Sequence, residues 1–182
     1  MKMAKKLLAV ILAGVLALSV LTGCGDAVST KAIAEAMSDK TIAEAMSDVS
    51  KDEGFVYEAD PKLNEKARLI AAITVEGEKG NSSGNETDIY GKIMNIMGSD
   101  YDNKYVWIAV TATEGGNVTA QARNLLEDVN PDSNINSKVA DDKGANGKKP
   151  ANDRSIGTVP ITENGEDYLF AVITAGVVQD KV

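Results

Sequence analysis

SIGTVPITENGEDYLFAVITAGVV, residues 155–178, reads as two β-strands folded back on each other. Ser155–Thr162 and Tyr168–Val178 are rich in β-branched and aromatic residues, the composition of a pleated, half-buried surface. Glu163-Asn164-Gly165-Glu166 joins them, and Asn-Gly between two such runs is a hairpin signal because both turn positions need positive φ. Upstream, Asn130 to Arg154 is rich in Asn, Asp, Lys and Gly with no aromatic residue, and predicts a long loop. Before it, Asn117 is placed to cap a helix carrying Val118, Ala122, Leu125, Leu126 and Val129 at helical spacing. Tyr105–Thr113 is strand-like and apolar on both faces in part, which predicts a central, covered strand. Ile89, Ile93, Ile96 and Met97 share one side of a further helix, with Gly98 as its stop. The polar run from Gly77 to Asn85 predicts a loop. Asp60-Pro61 starts the first helix of the domain, aspartate as N-cap and proline at the first helical position, with Leu63, Ala67, Ile70 and Ala71 on one face. The order helix, helix, strand, helix, strand, strand predicts an α+β domain over residues 59–182, a mainly antiparallel sheet covered by helices.

The other end of the chain carries a processing signal. Lys2, Lys5 and Lys6 precede an almost unbroken apolar run from Leu7 to Val20. That run falls short of the roughly 20 residues that span a bilayer and has the length of a signal-peptide core. It ends at Leu21-Thr22-Gly23-Cys24. A small residue before a lone cysteine, with leucine three before it, is the lipobox of bacterial lipoproteins. Residues 1–23 are thus expected to be a signal peptide. Leu21, Thr22 and Gly23 would be read by the signal peptidase, and the Cys24 thiol would take a thioether-linked diacylglycerol. Cys24 is the one cysteine, so no disulfide forms within the chain. The expected location is the extracytoplasmic face of a membrane, held by lipid.

The whole chain has 19 basic and 27 acidic residues; without the three signal lysines 16 basic residues remain, a net charge of −11. Such a domain is repelled by nucleic acid and by anionic lipid, so no nucleic-acid partner is expected and the acyl chains alone hold the membrane. Histidine is absent. That excludes Ser-His-Asp and Cys-His catalysis and histidine-ligated zinc. Carboxylates, lysines, hydroxyls and backbone groups are what remains for chemistry, and no nucleophile elbow, P-loop or dinucleotide fingerprint is present. No cofactor is expected. The reading is a non-catalytic binding or interaction domain with an unidentified envelope ligand. The alternatives are an envelope hydrolase working through carboxylates, or a small solute- or peptide-binding component.

Between anchor and domain, residues 24–58 read as a tether. Within it Ile33-Ala34-Glu35-Ala36-Met37-Ser38-Asp39 recurs as Ile42-Ala43-Glu44-Ala45-Met46-Ser47-Asp48. A nine-residue step turns a helix by half a revolution, so one continuous helix would put the two copies on opposite sides. Thr41 with Glu44 forms a capping-box pattern. Two short helical segments jointed near Asp39–Thr41, in a duplicated spacer, are expected.

Three candidate sites stand out. Asp132, Asn134 and Asn136 have the D-x-N-x-N opening of a calcium loop, with Val139 at its apolar eighth position. Ser137 stands where the sharp turn wants glycine, and Lys143 where the closing acid belongs. Tyr105 and Trp107 would line a sugar or peptide groove or, the reading preferred, fill a core. Asn81, Asn85 and Asn117 each open an N-x-S/T triplet, read as chance in a bacterial lipoprotein.

From Asp60 onward the chain resembles a CAP domain, of the cysteine-rich secretory and pathogenesis-related superfamily. The resemblance rests on Asp60-Pro61-Lys62-Leu63-Asn64-Glu65-Lys66-Ala67, on Asn130-Pro131-Asp132-Ser133-Asn134 at the place of an S-P-x-H segment, and on Ile156-Gly157 leading to Tyr168-Leu169-Phe170. It covers residues 60–178 and implies an α-β-α sandwich. The family's cleft uses two histidines and acidic residues, often around a divalent metal. This chain has no histidine, Asn134 stands near the place of the second, and the family's G-E-N-I strand has no clear counterpart in Tyr105–Thr113. No catalytic residue carries over.

Overall fold

The computed structural model describes residues 39–79, 86–113, 117–139, 148–163 and 165–179. The signal peptide, the lipobox with Cys24, the first repeat copy up to Ser38, Asn81, Asn85 and Lys143 lie outside the described residues. The chain is α+β, as expected. Its helices are α1 (Asp39–Val49), α2 (Pro61–Lys79), α3 (Glu86–Met97) and α4 (Val118–Glu127). Its strands are β1 (Val56–Ala59), β2 (Lys104–Ala112), β3 (Lys148–Glu163) and β4 (Glu166–Gln179).

The hairpin is the spine of the sheet. Glu163 pairs with Glu166, which leaves a two-residue turn, and Gly165 takes φ 85°, the left-handed conformation such a turn demands. β3 starts at Lys148, seven residues before the expected Ser155, and is irregular between Pro150 and Arg154. β2 lies antiparallel to β4, from Lys104 opposite Gly176 to Ala112 opposite Tyr168. β1 lies parallel to β3, from Val56 opposite Asp153 to Ala59 opposite Ile156. The order β1-β3-β4-β2 makes the sheet mixed, with one parallel pairing.

Strand periodicity divides the core in two. Tyr105, Trp107, Ala109, Leu169, Ala171, Ile173 and Ala175 face one way, against Ile42, Ala43 and Met46 of α1 and Ala122 and Leu125 of α4. Val106, Ile108, Phe170 and Val172 face the other way, against Leu63, Ala67 and Ile70 of α2 and Ile93 and Met97 of α3. Helices therefore cover both faces. Trp107 and Tyr105 stack with ring centroids 5.6 Å apart and are buried, which makes them core residues and not a groove lining.

Two expectations are corrected here. The tether does not extend to residue 58. Ile42 and Met46 are 0% exposed, and β1 belongs to the sheet, so residues 39–58 are part of the folded domain. The half-turn geometry excludes a shared stripe for two copies in one helix; it does not prevent a single copy from presenting Ile42, Met46 and Val49 on one face. Thr41 consequently lies inside α1. Nor is β2 central: it is an edge strand. Its apolar residues on both sides report helices above and below it, not neighbours to left and right. α2 also runs two residues past Gly77, to Lys79.

The caps are as read. Asp60 Oδ1 accepts from Lys62 N at 2.9 Å, and Asn117 Oδ1 from Ala120 N at 3.1 Å, so Asn117 is an N-cap. Gly98, at φ 83°, ends α3. Lys66 Nζ donates to the last carbonyls of α3, Ile96 O at 2.8 Å and Met97 O at 2.6 Å, a cation at the negative end of a helix. No helix of the described residues is long and apolar enough to cross a membrane.

Candidate functional site

The segment expected to be loop, from Asn130 onward, closes the outer edge of β2 as far as it is described. An edge strand presents unpaired N–H and C=O groups that must find partners. Val106 N donates to Asn134 Oδ1 at 2.9 Å, and Ile135 N donates to Val106 O at 2.9 Å. Trp107 Nε1 donates to Asn130 O at 2.7 Å. Asn130 caps the turn Pro131–Ser133, with Ser133 bonding back to it. Asn136 is buried, and its Nδ2 sits among three carbonyls, Tyr101 O at 3.0 Å, Asp102 O at 3.2 Å and Lys104 O at 2.8 Å.

The same bonds involve the calcium candidates Asn134 and Asn136 of the Asp132, Asn134 and Asn136 set. Asn134 Oδ1 accepts from both Val106 N and Asn136 N, and Asn136 Oδ1 accepts from Lys138 N at 3.1 Å. Both lone pairs of Asn134 Oδ1 and one of Asn136 Oδ1 are thus engaged by backbone N–H groups. Among the described residues no group of three or more His, Cys, Asp and Glu comes together to hold a metal ion. The asparagines act as clips for backbone.

Beside this clip lies a groove of about 770 Å³. Tyr90, Gly91 and Met94 of α3 form one wall and Ile135 to Lys138 the other. Gly98, Ser99 and Asp102 lie along it, and Lys138 Nζ reaches Asp102 Oδ2 at 2.7 Å across the rim. Gly91 sits in mid-helix, where glycine costs about 1 kcal/mol relative to alanine, and a methyl there would meet nothing within 4 Å. The groove offers apolar contact and neutral hydrogen-bonding groups around one ion pair.

One carboxylate has an altered acidity. Burial pushes Asp128 up to about 6, and the Glu127 charge adds to the rise, against a hydrogen bond from Val110 N–H that favours the ionised form. That bond closes another position on the β2 edge. Asp128 does not line the groove.

The raised value means the folded state holds the proton more tightly than the unfolded chain. Stability from this group is complete below about pH 4, near the ordinary aspartate value, and declines as pH rises through about 6. Asp128→Asn keeps an acceptor for Val110 N–H and removes the charge. Discounted for its half-exposed position, the gain is on the order of 1 kcal/mol at pH 7.5, a melting temperature higher by about 3 °C. The two proteins should converge near pH 4. A difference independent of pH would place the effect elsewhere.

Sequence reasoning missed Arg154. It is 5% exposed, and its guanidinium lies 3.7 Å from the Phe55 ring centroid, 5.5 Å from Tyr57 and 5.3 Å from Trp107. Nη1 donates to Tyr57 Oη at 2.7 Å, while buried Nε has no hydrogen-bond partner among the described residues. Burial raises the Tyr57 hydroxyl above its usual acidity range, and the Arg154 charge pulls it back in part. Three aromatic faces replace water around this cation and fasten the Phe55–Tyr57 segment to the sheet. Nothing local in Asn152-Asp153-Arg154 announces this, because the rings come from positions 55, 57 and 107.

No family model, curated protein or solved structure matches this chain.

Proposed function

We propose that this chain is an extracytoplasmic protein held to a membrane by lipid on Cys24, whose domain binds a partner and turns over no substrate. The observation that carries the anchor is Leu21-Thr22-Gly23-Cys24 after a lysine-rich start and an apolar run too short to span a bilayer. The binding role draws support from the groove beside α3, which combines an apolar wall with neutral polar groups, the usual make-up of a recognition site. The absence of histidine from the sequence, and the use of Asn130, Ser133, Asn134 and Asn136 to hold backbone, favour binding over hydrolysis. We also propose a CAP-like domain without the family's metal chemistry; helices on both faces of the sheet support it.

The test of the anchor is Cys24→Ser in cells fed a fatty-acid probe. The parent should carry label and the variant none, with the variant's precursor left uncut. Equal label on both proteins would overturn the reading.

A further inference from the structure

The repeat is longer than seven residues. Lys31-Ala32-Ile33-Ala34-Glu35-Ala36-Met37-Ser38-Asp39 differs from Lys40-Thr41-Ile42-Ala43-Glu44-Ala45-Met46-Ser47-Asp48 at one position, Ala32 against Thr41. The second copy seats α1 in a slot made by α4, one sheet face and the outer edge of β1. Ile42, Ala43 and Met46 fill it. Ser47 Oγ accepts from Tyr57 N at 2.8 Å, sealing the β1 edge. Just past the copy, buried Ser50 donates its hydroxyl to Met46 O at 2.6 Å.

Each of these groups exists again nine residues earlier. Ile33, Ala34, Met37 and Ser38 repeat the seating residues, and Thr41 offers a hydroxyl at the place of Ser50. The one seating residue lost is Val49, replaced by Lys40, whose aliphatic stem can cover part of the same surface.

We propose that this slot is a docking site with two interchangeable occupants, and that the 33–39 copy takes it whenever the 42–48 copy leaves. The connection to Phe55 then lengthens from residues 49–54 to residues 40–54, and the cost of closing a loop rises only slowly with its length. The second copy is the resting occupant because it brings Val49 and the turn Lys51–Glu53 with it. Under the lipid-anchor reading, on which this consequence rests, exchange removes nine residues between Cys24 and the slot. At 3.3–3.6 Å per extended residue the reach from the membrane shortens by up to about 30 Å.

The test uses the chain from residue 24 onward with Cys24→Ser, so it does not depend on lipidation. Ile33→Asp with Met37→Asp should leave the melting temperature unchanged. Ile42→Asp with Met46→Asp should lower it by no more than about 5 °C for a domain of this size and transfer slow amide exchange to residues 33–39. All four substitutions together should abolish the cooperative transition. Deleting Lys40–Asp48 joins Asp39 to Val49 and restores the native connection, so it should melt within about 3 °C of the parent. The proposal is overturned if the second-copy pair alone is as damaging as all four, if amides 33–39 gain no protection, or if the deletion loses ten degrees or more.

Discussion

A chain that begins at Val49, without either repeat copy, is expected to lose its cooperative unfolding transition or to melt at least about 15 °C below the parent. Fully burying Ile or Met contributes about 1.5–3 kcal/mol per side chain, and Ile42 and Met46 are both fully buried. Their removal also strips the α1 cover from the sheet face carrying Tyr105 and Trp107, leaving only α4, with Ala122 and Leu125, against it. Tyr57, on the outer edge of β1, would lose Ser47. Together these losses reach several kcal/mol, against a total stability of about 5–15 kcal/mol for a typical domain. Thermal unfolding followed by circular dichroism checks this. A loss of less than about 5 °C would mean that α1 rides on the domain without supporting it.

Gly157→Ala is expected to cost at least about 3 kcal/mol, at the upper end for added volume in a packed interior, and to lower the melting temperature by roughly 10 °C. A Cβ there would stand 2.2 Å from the Leu63 carbonyl carbon, 2.4 Å from Leu63 Cβ and 2.5 Å from Asn64 N. None of these is the free end of a side chain that could swing aside. α2 would have to lift off β3, pulling Asn64 Oδ1 from Thr158 N, which it holds at 3.1 Å. A variant melting within about 2 °C of the parent would show that the first turn of α2 is not seated as described. The Ile156-Gly157 pair that suggested a CAP hairpin thus has a local reason of its own: helix backbone touches strand backbone there.

What could be read from the sequence was set by residues close together along the chain. Asn164-Gly165 fixes a hairpin through its own backbone preferences, and Asp60-Pro61 and Asn117 fix helix starts through bonds two or three residues away. Long-range choices were hidden. β2 looks central because apolar residues on both faces do not distinguish layers from neighbours in a sheet. The 130–139 segment looks like loop because its asparagines bond to backbone about thirty residues upstream in the chain. A short helix over the second copy is legible in the sequence, but its burial is not: the half-turn step argues against one stripe for two copies, and one copy suffices to fill the slot. The groove could not be foreseen, since its walls come from residues 90–102 and 135–138. Arg154 was invisible for the same reason: a cation among three rings distant in sequence leaves no spacing to read.

The sheet's two outer strands are stitched by neighbouring parts of the same chain: Ser47 at β1, and Asp128, Asn134 and Ile135 at β2. The proposed lipid anchor would confine the chain to a membrane plane, where proteins meet one another far more often than the same molecules free in solution. Under such crowding an open strand invites the next molecule to add its own, and ribbons grow from copy to copy. With the exposed polar groups of Tyr57, Val106 and Val110 already taken, these positions give an incoming strand no register to start from. Under the proposed lipid anchor, a densely populated surface then remains a two-dimensional fluid of separate molecules.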